Sequence, residues 1–115
     1  MLTFDKKYRR QLHAELDELL DVSETVRTGP NEFHNAKALA ERTARKWAVD
    51  SLLVAAIAVP YGRDRVVDRL NREIAMYHRR TVALRETHDV DDVKVIENYE
   101  RAIALVEKFI AKLDK

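Results

Sequence analysis

A chain of 115 residues can build one hydrophobic core and is too short for two, so a single domain spanning 1–115 is expected. Only 2 glycines and 2 prolines leave too few turn residues for an all-β fold, and 36% charged beside 46% hydrophobic residues is the balance of long helices with solvated outer faces. With 21 basic against 20 acidic residues, whole-molecule attraction to nucleic acid or an anionic membrane is not implied and any such binding must come from local clustering, and the lack of cysteine excludes disulfides, thiolate metal sites and thiol catalysis.

The first ten residues carry Lys6, Lys7, Arg9 and Arg10 with no apolar run behind them, which is not the pattern of a secretory signal. The longest apolar run, Leu52 to Val59, is 8 residues, where a membrane span needs about 20. A cytoplasmic protein with no membrane partner is expected. Gly29-Pro30-Asn31, Pro60-Tyr61-Gly62 and Asp89-Val90-Asp91-Asp92 punctuate the chain, because glycine closes a helix, proline cannot continue one and Asn or Asp caps the next. They predict helices over 4–27, 31–59, 64–87 and 90–114. The short connections predict an all-α, antiparallel four-helix bundle in up-down-up-down order.

In the first helix Leu12, Leu16, Leu19, Ser23 and Val26 recur at spacings of four and three, with Tyr8 on the same line. Its charges run against the helix dipole: Lys6, Lys7, Arg9 and Arg10 come early, while Glu15, Asp17, Glu18, Asp21 and Glu24 come late. Two such helices laid antiparallel would set base against acid at both ends. That order predicts a homodimer through this helix, with Leu12, Leu16 and Leu19 as dimer or core anchors. The acidic half would face the arginines of the third helix equally well.

The second helix repeats Ala36, Ala40, Ala44 and Ala48, then becomes apolar all round from Leu52 to Val59. Small side chains admit a close neighbour, so this helix is expected at the centre, its apolar end covered within the monomer or by a second subunit. Trp47, the sole tryptophan, stands where the two patterns meet and is read as a core or interface anchor.

The third helix has a core line of Val67, Leu70, Ile74, Tyr77, Thr81 and Leu84. Opposite it, Arg65, Arg69, Arg72, Arg79 and Arg80 fall within an arc of about 100° over about 22 Å. This is the candidate partner-binding stripe. Guanidinium groups grip carboxylates and phosphates in a bidentate way, so the stripe suits an acidic protein or a nucleic-acid backbone, while Asp64, Asp68 and Glu73 at its borders are what an ordinary solvated face would carry. The fourth helix, with Ile96, Tyr99, Ile103, Val106, Ile110 and Leu113, is the most regular, and its charges follow the dipole. The four tyrosines, at 8, 61, 77 and 99, are assigned to bundle packing.

Motifs for chemistry are sparse. Neither Glu-x-x-His nor His-Glu-x-x-His occurs, and His13, His34, His78 and His88 are scattered one per region, so no metal or other cofactor is assigned. Glu15-Leu16-Asp17-Glu18 followed by Asp50 resembles the magnesium site of all-α nucleotide pyrophosphatases related to the MazG family, with Trp47 standing where a second-motif carboxylate belongs. That resemblance implies Glu15, Glu18 and Asp50 as ligands. The Arg72–His78 and Arg27–His34 spacings resemble the Arg-x(4 to 6)-His motif of HEPN ribonucleases, which implies RNA cleavage by a dimer. The asparagine that often follows that family's arginine is absent in both.

No catalytic residues are assigned. The function expected is that of a small, non-enzymatic interaction module, regulatory or adaptor in type, homodimeric and binding another protein. The alternative is a nucleic-acid-directed protein, binding along the arginine stripe or cleaving RNA as HEPN proteins do.

Overall fold

The computed structural model describes residues 4–20, 32–87 and 92–113, with side chains at 4–19, 41–87 and 92–113. It contains α1 (Phe4–Leu20), α2 (Glu32–Ala55), a 3₁₀ helix (Ala56–Tyr61), α3 (Arg63–Thr87) and α4 (Asp92–Leu113). Gly62 is the one described residue outside a helix, so the all-α class and the four packed helices are as the composition requires. Among the described residues no helix is long and apolar enough to cross a membrane.

The second helix does not run as one α-helix to residue 59. At the end of α2 the proline ring of Pro60 would clash with the carbonyl of Ala56, four residues earlier, and Pro60 has no N–H to donate. The chain therefore tightens into a 3₁₀ helix, closed by the Gly62 N–H donating to the Val59 carbonyl at 3.1 Å. Gly62 has φ 100° and ψ 171°, a conformation open essentially to glycine alone, and its carbonyl accepts from the Val66 N–H at 3.2 Å to begin α3.

Consecutive helices pair in opposite senses where side chains cross between them. Tyr8 reaches Leu52 and Arg45 reaches the Glu18 carbonyl between α1 and α2. Between α2 and α3, Trp47 meets Tyr77 and Ser51 meets Glu73. The main core gathers Leu52, Ala55, Val59, Val66, Leu70, Val106, Phe109 and Leu113, covered by Tyr8 and Leu19 of α1. A smaller cluster of Tyr77, Ala102 and Ile103 lies beside it under Trp47 and Tyr99. Two details differ from the periodicity. Val66 is fully buried in place of Val67 because the 3₁₀ helix folds against the start of α3, and Phe109 joins Val106 beneath the α1 aromatic Tyr8. The centre is also shared: α4 packs along both α2 and α3, whereas α2 was expected to hold it alone.

α1 is seated by its polar groups as well as its apolar ones. A helix leaves its last four carbonyls without intrahelical partners. The Tyr8 hydroxyl donates to the Leu52 carbonyl at 3.1 Å, at the end of α2, and the Gln11 amide donates to the Lys112 carbonyl at 3.2 Å, at the end of α4. Tyr8 is completely buried, with its ring edge-on to Phe109 at 5.9 Å, and burial pushes its phenol up to about 12.

The Cα radius of gyration is 15.8 Å, where a compact chain of this length has about 13 Å, and the molecule measures 50 × 36 × 20 Å. It is a flattened bundle.

Candidate functional site

The flattening leaves the apolar end of α2 open on one side. Ile57 is 76% exposed and Tyr61 77%, with Leu53 also exposed, so the end that is apolar all round is covered within the chain only on the side that meets the core. Tyr61 is thus not a packing residue, unlike the other three tyrosines, which are buried or half-buried. The 3₁₀ geometry places Ala58 and Tyr61, three residues apart, on one line, and Ile57 of the same 3₁₀ helix and Val54 in the last turn of α2 border the same surface.

The glycine turn then returns the chain along this apolar row. α3 presents Arg65, Arg69 and Arg72, at spacings of four and three, on the flank nearest α2. The two rows enclose an open groove of about 580 Å³ lined by Val54, Ile57, Ala58 and Tyr61 on one wall and Arg65, Asp68, Arg69 and Arg72 on the other. Val59 and Val66, on the two elements that carry these walls, are both buried in the core. The charge on the lining is three guanidiniums and one carboxylate, and that carboxylate, Asp68, lies 3.4 Å from Arg72 on an exposed i, i+4 pair. The stripe is therefore divided: Arg65, Arg69 and Arg72 line the groove, while Arg79 and Arg80 are exposed farther along α3, outside it.

Two acids of the later part of α1, Glu15 and Glu18, are answered within the chain. Glu15, 3% exposed, accepts a 2.5 Å hydrogen bond from the Lys112 ammonium, and Glu18 lies 3.7 Å from Lys108 and 3.6 Å from Lys112. The bond to Glu15 holds the Lys112 ammonium above the usual lysine range, against the opposing pull of burial and with further help from the charges of Glu15 and Glu18. At Glu15 and Glu18 the reversed charge order of α1 is matched by the basic last turns of α4. Leu12 and Leu19 pack against the main core and Leu16 is half-buried. Trp47 is half-buried, stacked on Tyr99 with centroids 4.5 Å apart and an interplanar angle of 20°.

A second polar cluster joins α2 to α3. Ser51 donates to Glu73 at 3.1 Å, lies 2.7 Å from the Tyr77 hydroxyl, and Tyr77 donates to the Trp47 carbonyl at 2.9 Å. Burial raises the Tyr77 phenol, the Ser51 hydrogen bond opposes this, and the nearby carboxylates of Glu73 and Asp50 add to the rise. Ser51 is fully buried and Tyr77 4% exposed, and their hydrogen bonds cross-link α2 to α3.

Among the described residues no three acidic or histidine side chains converge as a metal site would require. Glu15 and Glu18 are engaged by lysines, while Asp50 is exposed on the side of α2 toward Tyr77. Arg72 and His78 are both exposed on one continuous helix, about 120° apart around it. Arg27 lies outside the described residues, as do Ser23 and Val26 of the first predicted line and the side chains of His34, Ala36 and Ala40. Compared with known proteins, the chain matches no family model, no curated protein and no solved structure.

Proposed function

We propose that this chain is a non-enzymatic interaction module, regulatory or adaptor in type, that docks another polypeptide in the groove between α2 and α3. The observation that carries this reading is the adjacency of Ile57 and Tyr61, each more than three-quarters exposed, to Arg65, Arg69 and Arg72 on one surface. Monomeric proteins seldom leave contiguous large apolar side chains in water unless something covers them. Tyrosine and arginine are also the residue types that concentrate binding energy at protein interfaces, the ring filling a pocket and the guanidinium pairing at its rim.

A purely phosphate-directed surface would have no use for the apolar wall and would be weakened by Asp64 and Asp68. Nucleic acid is for that reason the lesser reading. The chain has no cysteine, so a single one can be placed at will. Tyr61→Cys carrying a photo-crosslinker should form an adduct with a partner identified by mass spectrometry. Lys94→Cys, on an exposed turn of α4, should not. The adduct should vanish in an Ile57→Asp background. Equal adducts from both positions, no adduct from either, or an adduct indifferent to Ile57→Asp would overturn the proposal.

A further inference from the structure

We infer that the occupant of the groove is an acidic amphipathic helix of a different protein, with one apolar row seated on Val54, Ile57 and Tyr61 and one flanking row of carboxylates set against Arg65, Arg69 and Arg72. The inference rests on the interaction reading above and names the chemistry of its partner.

The walls argue for a helix. The arginine row repeats at spacings of four and three along α3 and advances by one turn, about 5.4 Å, between contacts, while the apolar wall steps about 6 Å from Ala58 to Tyr61 along the 3₁₀ helix. A helix laid between them keeps register with the arginine row and, over this single turn, with the apolar wall, as in helix-in-groove recognition. The occupant would lie along the open side of the flattened bundle, which is 20 Å in its thinnest direction.

The charges argue for an acidic partner and against a second copy. Around α3, at about 100° per residue, Asp64 and Asp68 stand on the outer flank while Arg69 stands toward α2, with Arg65 and Arg72 between. Closed pairs of identical chains are twofold-symmetric and set the same patch against itself. A second copy brings the same surface, and the groove itself carries three guanidiniums against a single carboxylate, Asp68, which already lies 3.4 Å from Arg72. Carboxylates on a foreign helix, spaced i, i+4, i+7, meet all three.

The test uses the full chain and three alanine-based helical peptides with the same leucine row at four-and-three spacing. Their flanking row carries glutamate, glutamine or lysine. By calorimetry at low salt, the glutamate peptide should bind about tenfold tighter than its glutamine twin, and the lysine peptide should bind more weakly than either. The gap should close at 0.5 M salt. The variant Arg65→Glu/Arg69→Glu/Arg72→Glu, altered only at exposed positions, should reverse the order. If that variant unfolds by circular dichroism, the salt dependence of the native chain decides between the outcomes by itself.

Glutamate and glutamine peptides binding equally would overturn the inference while leaving a helix-docking groove in place. Dimeric mass by light scattering that Ile57→Asp converts to monomer would name a second copy as occupant and overturn it in another way. If no peptide binds and a single-stranded oligonucleotide does, with affinity lost in the arginine variant, both this inference and the interaction reading fall. If nothing binds, both fall as well.

Discussion

Raising the pH should destabilise this protein through Tyr8, and the substitution Tyr8→Phe should reverse its sign of effect on the way. Folding buries the Tyr8 phenol completely and pushes it from 10.0 to about 12. A group that holds its proton more tightly when folded contributes fully below its unfolded value and loses that contribution as the pH climbs to the folded one. Two pKa units at 1.36 kcal/mol each correspond to about 2–3 kcal/mol, lost between about pH 10 and 12. That is a large part of the 5–15 kcal/mol typical of a domain. At neutral pH the phenylalanine variant lacks only the bond to the Leu52 carbonyl and should be less stable by about 1 kcal/mol. The two stability curves should therefore cross at about pH 10.5–11, above which the variant is the more stable. Urea titrations followed by circular dichroism from pH 7 to 11.5 would measure this, with tyrosinate absorbance as an independent check. Lys112, also raised, weakens the fold above its ordinary 10.5 in both proteins and cancels from the comparison. Parallel curves, with no crossing, would refute the argument.

Other outcomes follow from particular contacts. Lys112→Ala should cost about 2 kcal/mol in urea unfolding and Glu15→Gln only about 1, because the first strands a carboxylate that is 3% exposed whereas the second releases an ammonium that is 39% exposed. Gly62→Ala should destabilise by about 1–3 kcal/mol purely through backbone strain, since a methyl group there meets nothing within 4 Å, and thermal melts would register it. Ser51→Ala should cost about 1–2 kcal/mol by leaving the Glu73 carboxylate without its donor, and should move the tyrosinate titration assigned to Tyr77 upward because the opposing hydrogen bond is gone. Leu70→Ala, in the middle of the main core, should cost about 2–5 kcal/mol, and a loss under 1 kcal/mol would argue against its burial there.

The arginine row was legible because a 100° step per residue places Arg65, Arg69 and Arg72 together regardless of what surrounds them. Its usefulness was not. Whether those arginines border water, acid or an apolar wall depends on how α3 returns along the end of α2, and that return is set by Pro60 and the positive φ of Gly62. Tyr61 shows the same limit. Its sequence position suits packing, yet the change from α to 3₁₀ geometry turns it outward to form the groove wall. The signal that pointed there was the length of the apolar run from Leu52 to Val59, longer than one side of a helix can bury.

Charge order in α1 was equally visible and equally incomplete. Reading along one helix reveals that Glu15 and Glu18 sit at the wrong end of the dipole, because that effect is local. Their partners, Lys108 and Lys112, come some ninety residues later, and only the docking of α1 against the last turns of α4 brings them near. Helix content, helix number and the polarity of each face are properties of the chain's periodicity, and the sequence alone determined them. Which faces are covered, which charges are answered and where an open groove remains are properties of the packing of one helix on another. Those the tertiary structure decided, since distance in space between residues far apart in the chain is what sets burial and Coulomb energy alike.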